Sequence, residues 1–258
     1  MKNSIFKPLL LLALFILIVG TACNLTGGNT EETKEPAVIV VTATPKTQVS
    51  SPVATNTPAV PATEEPTYSN APPDYFVEEF DNGVDNYSYF IMHGDEDKAD
   101  VYVEDGELKF NLNDYDIYYY VTYDPYTYGD VRLDVEVENL GVNTNSVSLV
   151  CRYSEDLGWY EFNVSSGGIY EIYYFDRIIV KGYSLIASGG STNVNMGRDT
   201  NTYTAICEGD TLSLYINGEL AKSIEHKDLD RGQVGIGINS YDGYPVIMNI
   251  PWMEISEP

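Results

Sequence analysis

The chain has 258 residues and carries 39 Asp and Glu against 14 Lys and Arg, a formal net charge of −25. A surface of that sign repels nucleic acid and anionic lipid and disfavours phosphorylated ligands, which leaves neutral polymers and cations as partners. Three cysteines, an odd number, leave one thiol over in an oxidising compartment unless one of them has another fate.

The first element is an export signal rather than a folded segment. Lys2 and Lys7 make a positive start, Leu9 to Val19 is an unbroken apolar run, and Gly20, Thr21 and Ala22 lead to Cys23. About a dozen apolar residues fall short of the roughly 20 that span a bilayer as a helix. The segment resembles a bacterial lipoprotein signal, whose terminal cysteine receives lipid after cleavage, although Gly20 stands where such signals usually place Leu. The expectation is a signal peptide over 1–22, lipid on Cys23, and an extracytoplasmic protein held at the membrane surface. A plain secretory signal is the alternative.

From 23 to 73 the composition turns to Thr, Pro, Ala, Val and Glu without apolar periodicity, as in TATPKTQVSSPVATNTPAVPATEEPT. Such a chain cannot bury enough surface to offset its ordering entropy and favours extended stretches. A disordered stalk is expected, about 40 Å across as a coil. VIVVTAT (Val38–Thr44) is read as part of it.

Residues 74–258 suit one domain with one core. Two-residue alternation dominates, punctuated by turn dipeptides, and helical periodicity is missing beyond a turn or two. VYVEDGELKFNL reads as a hairpin about Asp105-Gly106. IYYYVTYDPYTY (Ile117–Tyr128) holds six tyrosines in twelve residues. As a strand it puts Tyr118 and Tyr120 on one face and Tyr119 and Tyr123 on the other, so about half serve packing. Tyr126 and Tyr128, just after Pro125 in an expected turn, are the candidates for an exposed rim.

DVRLDVEVENL alternates cleanly, with Val131, Leu133, Val135 and Val137 inward and Arg132, Asp134, Glu136 and Glu138 on a solvated outer face. TAICEGDTLSLYINGELAKSIEH reads as three strands joined at Gly209-Asp210 and Asn217-Gly218. About twelve strands at short spacing imply an all-β sandwich or jelly roll with two apolar inner faces. In SVSLVCRY, Ser148 and Arg152 point outward, which turns Leu149 and Cys151 inward. A two-residue turn at Gly209-Asp210 pairs Cys207 with Leu212 on the core face. Both cysteines therefore face the core, and a Cys151–Cys207 disulfide is expected in an exported domain. An immunoglobulin sandwich competes, since Trp159 follows Cys151, but Ala205 occupies the place of its corner tyrosine.

The stretches SLVCRYSEDLGWYEFNVSSGGIYEIYYF and AICEGDTLSLYINGELAKSIEHKDLDRGQVGIGIN resemble the concanavalin A-like (laminin G-like) jelly rolls of bacterial surface proteins. The same arrangement occurs in the domain known as 3-keto-disaccharide hydrolase. The D-x-L-x-L-Y-x-N-G hairpin and the later G-x-V-G-I strand carry the resemblance, which spans about Phe80 to Ile255. It implies an antiparallel β-sandwich with ligands on its concave sheet. It does not transfer an activity.

Chemistry has few candidates. His93 and His226 are both read as surface residues, and there is no nucleophile elbow. GDEDKAD (Gly94–Asp100) offers Asp95 and Asp97 to calcium but lacks the glycine and glutamate of an EF-hand loop, so no cofactor beyond calcium is considered. In GWYEFNVSSGGIYEIYYF, inward Tyr160, Phe162 and Val164 leave Trp159, Glu161 and Asn163 outward. A three-residue connection (Ser165–Gly167) keeps Glu171 out of the core, where an unpaired carboxylate is costly. It pairs Trp159 with Tyr173 and Glu161 with Glu171. The two facing carboxylates call for Arg152 beside them.

This face (Arg152, Trp159, Glu161, Glu171, Tyr173) is the candidate site. Its aromatics would stack on sugar rings and its charged groups would take hydroxyls. The expected protein is a monomeric glycan- or polysaccharide-binding lipoprotein without nucleic-acid partners. A glycoside hydrolase using Glu161 and Glu171 is one alternative; a non-catalytic protein-interaction or structural module is another.

Overall fold

The computed structural model describes residues 72–258. The expected signal (1–22), Cys23, the stalk as far as residue 71 and the Val38–Thr44 segment lie outside the described residues. Fifteen strands follow, rather than about twelve. In chain order they begin with β1 (Phe76–Glu78), β2 (Tyr87–His93), β3 (Ala99–Glu104), β4 (Glu107–Leu112) and β5 (Tyr118–Tyr128). Next come β6 (Val131–Asn139), β7 (Asn145–Ser154), β8 (Gly158–Ser165), β9 (Ile169–Asp176) and β10 (Gly182–Gly190). The last are β11 (Thr200–Glu208), β12 (Thr211–Ile216), β13 (Glu219–Glu225), β14 (Gly232–Ser240) and β15 (Val246–Ser256).

They form two antiparallel sheets. The first has eight strands in the order β13-β12-β11-β6-β15-β4-β3, with β1 beside the C-terminal half of β15. The second has seven, in the order β10-β9-β8-β7-β14-β5-β2. This is the expected β-sandwich, and the alternation of the sequence explains it. Val131, Leu133, Val135 and Val137 of β6 are buried in the core that the two sheets share. Leu149 and Cys151 of β7 face them from the other sheet. Asn217-Gly218 and Asp105-Gly106 make the expected tight hairpins, with both residues of each pair at positive φ. The predicted pairing of Cys207 with Leu212 is present. Cys151 of β7 and Cys207 of β11 are joined in a disulfide that ties the two sheets together.

The tyrosine run of β5 divides as its parity predicts. Tyr119 and Tyr123 lie in the core, whereas Tyr120 joins a separate cluster on the outer face of the seven-stranded sheet. The expectation of an exposed rim at Tyr126 and Tyr128 is corrected: Tyr128 is buried and Tyr126 half-buried. The hydroxyls of Tyr126, Tyr123 and Tyr128 donate to the carbonyls of Pro72, Pro73 and Asp74 at 2.7, 2.7 and 2.6 Å. These phenols hold the start of the domain, because its proline carbonyls have no strand partner and need donors from elsewhere.

Candidate functional site

The hairpin β8–β9 turns through Ser166, Gly167 and Gly168, one residue later than the predicted Ser165–Gly167 connection. Gly168 takes the left-handed position (φ +81°), and its N–H donates to the Ser165 carbonyl at 2.9 Å. A Cβ there would also come within 2.6 Å of the Ser191 carbonyl oxygen, so the local packing admits only glycine. The register moves by two residues in consequence. Glu161 pairs with Tyr173, Asn163 with Glu171, and Trp159 with Phe175. An even shift keeps every predicted face and changes every predicted pair. Glu161 and Glu171 share the outer face of the sheet but do not stand opposite each other.

Arg152 is not on that face, which corrects the expected cluster. A bulge on β7 between Cys151 and Ser154 places Arg152 at φ +54° and breaks the alternation. Its buried guanidinium donates to the carbonyls of Gly129, Leu229 and Gly209 at 3.0, 2.8 and 2.8 Å. It satisfies three loop carbonyls at one end of the sandwich and does not screen glutamates.

Trp159 lies on the predicted face but is fully buried, with 0 % exposure. It stacks on Phe175 at 4.1 Å, packs against Phe90 and Tyr153 at 5.5 Å each, and meets the edge of Tyr183. The Arg177 guanidinium lies 5.5 Å from its ring centre. The indole therefore belongs to a second, small apolar cluster with Tyr120, Val150 and Phe175 on the outer side of the sheet. Its ring is not free to stack on a ligand.

What the indole does is hold Glu161. That carboxylate is 3 % exposed, and it accepts from Trp159 Nε1 at 3.1 Å, Tyr120 Oη at 2.9 Å and Ser148 Oγ at 2.7 Å. Tyr120 reaches it from β5 across two intervening strands because Gly237 and Ser148 are small. A Cβ on Gly237 would sit 2.5 Å from the Tyr120 ring. The Ser148 proton goes to Glu161, so Ser148 Oγ must accept from Asn163 Nδ2 and Asn239 Nδ2, at 2.9 and 3.1 Å. That fixes the orientation of both amides. Both also donate to Ser146 Oγ, which bonds Tyr241 Oη at 2.7 Å.

Above this hydrogen-bonded floor is a cleft of about 270 Å³. Glu161, Asn163 and Asn239 lie at its base; Tyr118, Tyr120, Glu171, Tyr173, Tyr183 and Tyr241 complete its lining. The volume is near the lower end of small-molecule sites, room for a ligand of one or two rings. Burial, and then the Glu171 carboxylate beside it, push the Tyr173 phenol well above its ordinary pKa. Burial followed by Glu161 does the same to Tyr183. Tyr120 and Tyr241 are raised by burial above all. The cleft thus presents neutral phenols at any physiological pH.

Of the predicted site residues, the structure brings Glu161, Glu171 and Tyr173 together in one cleft, puts Trp159 beneath its wall and Arg152 outside it. Asn239, Tyr241, Tyr183 and the serines of the floor were not singled out in the sequence. The available signal was VGIGINSY, in which Gly235, Gly237, Asn239 and Tyr241 alternate with the core residues Val234, Ile236 and Ile238. Small and polar residues along one face of a central strand mark a floor that something else must cover.

The remaining candidates lie elsewhere. His93 Nδ1 meets the Asp116 carbonyl at 2.8 Å, and His226 Nδ1 meets Tyr160 Oη at 3.0 Å. Asp134 is not solvated as expected. It is buried on the outer face of the eight-stranded sheet, accepting from Arg132 and Thr204. In the acidic loop, Asp95 caps the turn Glu96–Lys98 through the Asp97 N–H. Among the described residues no three His, Cys, Asp or Glu side chains converge on a metal position.

No family model matches the chain, and no curated protein matches it in sequence. Solved structures match its fold. A Bacillus licheniformis β-glucanase aligns over 72 % of this chain and 99 % of its own, at 14 % identity and a TM-score of 0.51. A Bacillus subtilis protein of unknown function with a galectin-like fold aligns over 70 % and 94 %, at 9 % identity and 0.55. A Bacteroides ovatus family 16 glycoside hydrolase, in complex with its G4G4G3G product, aligns over 70 % and 99 %, at 9 % identity and 0.52. The fold is a concanavalin A-like jelly roll, as the sequence resemblance implies. Identities this low speak to fold alone.

Proposed function

We propose that the domain binds carbohydrate in the cleft on the outer face of its seven-stranded sheet. The observation that carries this reading is the floor itself. Asn163, Asn239, Ser146, Ser148 and Glu161 are buried polar groups locked into one network, open above to a cleft lined by tyrosines. Fixed polar groups beneath flat aromatic rings suit a ligand with hydroxyls on its edges and CH groups on its faces. The product-bound Bacteroides ovatus structure shares the fold, and its sugar ligand adds support by analogy.

Binding is favoured over hydrolysis. A glycosidase pair needs one carboxyl group free to give a proton and another free to attack or to activate water. Both oxygens of Glu161 are already engaged by protein donors. The test is calorimetry of the full chain with β-glucan and other oligosaccharides, comparing Tyr173→Ala and Tyr241→Ala with the parent. Each substitution should weaken binding about ten-fold, the scale of one lost ring-stacking contact in a desolvated site. The melting temperature should be nearly unchanged in Tyr173→Ala and lowered in Tyr241→Ala, which takes a partner from buried Ser146 and Asn163. Equal affinities in all three proteins would remove the cleft from consideration; release of reducing ends on long incubation would restore the hydrolase.

We also infer a lipid anchor at Cys23 and display on the Thr/Pro-rich stalk, outside the cytoplasm. Support comes from the charged start, the apolar run, and the pairing of the other two cysteines with each other. Mass spectrometry of the N-terminal peptide should find a diacylglyceryl cysteine; an unmodified Cys23, or cleavage elsewhere, would refute it.

A further inference from the structure

The direction of every hydrogen bond in the floor constrains what the cleft can hold. Both protons of each amide, Asn163 and Asn239, go to Ser146 and Ser148. The Ser148, Tyr120 and Trp159 donors all go to Glu161. Because the Tyr120 proton is engaged, the 3.4 Å contact between Tyr120 and Tyr183 uses the Tyr183 proton. Tyr241 donates to Asn163 Oδ1 at 3.4 Å. Among the lining residues the Tyr118 phenol remains as a free donor, and that of Tyr173 is directed at the Glu171 carboxylate.

The acceptors are in the opposite condition. Glu171 has the Tyr173 phenol beside it as a donor, and among the described residues neither Glu171 nor Glu161 is in an ion pair. The lining contains no Lys, Arg or His. The cleft is therefore acceptor-rich, poor in donors, negatively charged and walled by tyrosine rings.

Resting on the carbohydrate reading of this cleft, we propose that its ligand is an amino sugar with a free, protonated amine, such as a glucosamine oligomer. An ammonium offers three donors and requires no acceptor of its own to be matched, which is the complement of this lining. Tyrosine faces attract a cation as well as stacking on a sugar ring. The amine belongs at the Glu171 and Tyr173 side of the cleft. Uronic acids, sulfated sugars and sugar phosphates are excluded by Glu161 and Glu171. Neutral hydroxyls can donate here but find few donors in return, so neutral oligomers bind less tightly.

The experiment is calorimetry of the full chain with glucosamine trimer, its fully N-acetylated counterpart, cellotriose and trilysine. It is run at a pH where the sugar amine is charged and again where it is neutral. The expected result is about ten-fold or more tighter binding of the glucosamine trimer than of either neutral trimer. That preference should vanish at the higher pH and in Glu171→Gln, which keeps the shape of the side chain and removes its charge. Neutral trimers binding as tightly as the amine would overturn this inference and leave the carbohydrate reading standing. No binding of any sugar trimer would overturn both. Trilysine binding as tightly as the glucosamine trimer would show capture of cations by an acidic surface and would overturn the amino-sugar assignment.

Discussion

Replacing Trp159 with alanine is expected to lower the stability of the domain by about 3–5 kcal/mol, the usual range for removing a large buried aromatic ring. The substitution leaves a hole beneath Phe90, Phe175 and Tyr153, removes the seat of the Arg177 guanidinium, and takes a donor from the buried Glu161 carboxylate. Trp159→Phe separates these effects. It keeps one ring of the packing, loses the N–H and leaves a smaller hole. It should cost less than Trp159→Ala but at least the value of a hydrogen bond to a charged group, about 1.5–3 kcal/mol. Urea denaturation of the two variants beside the parent is the check. A sugar-stacking, solvent-facing indole would instead leave the midpoint of Trp159→Ala where it was.

Loss of the disulfide is expected to be of similar size. Cys151 and Cys207 are 56 residues apart in sequence, and opening a loop of that length restores chain entropy to the unfolded state worth about 4 kcal/mol. The bond also joins the middle of one sheet to the other. Cys151→Ala/Cys207→Ala should therefore unfold at a markedly lower denaturant concentration, and the reductant that leaves the variant unchanged should move the parent toward it. Identical midpoints for parent and variant would mean that the bond adds nothing to a core already sufficient by itself.

These two residues show what could be read from the sequence and what could not. Facing the core is a question of parity, and parity survives anything that shifts a strand by an even number. The inward placement of Cys151, Cys207, Tyr160, Phe162 and Ile172 therefore followed from alternation alone. The pairing of β8 with β9 depended on which of two adjacent glycines takes the left-handed turn. Gly168 does, for the sake of its contact with the Ser191 carbonyl, and that contact comes from a segment more than twenty residues on. Arg152 was misplaced because a bulge adds one residue, and an odd change reverses a face. The carbonyls of Gly129, Gly209 and Leu229 that make this reversal favourable come from three separate loops.

Burial on the outer face was the least legible feature. Alternation marks a residue as facing away from the core, and the simplest inference is that it faces water. Trp159 and Glu161 face away from the core and are buried nonetheless, because Phe90 from β2, Tyr120 from β5 and Phe175 from β9 close over them. A second layer of this kind depends on the order of strands in the sheet, which local pattern does not specify. Its effect is functional. The covered half of the face holds Glu161 in place, and the open half leaves Glu171 and Tyr173 to a ligand.

The measurement that tests the central claim most directly is a nuclear magnetic resonance titration of the isotopically labelled chain with a short glucosamine or glucan oligomer. The side-chain amides of Asn163 and Asn239 are its reporters. Saturable shifts at those two amides and along Ser146–Ser148 are predicted, with the outer face of the eight-stranded sheet around Arg132, Asp134 and Thr204 left unmoved. Shifts centred on that opposite face, with both amides silent, would contradict it.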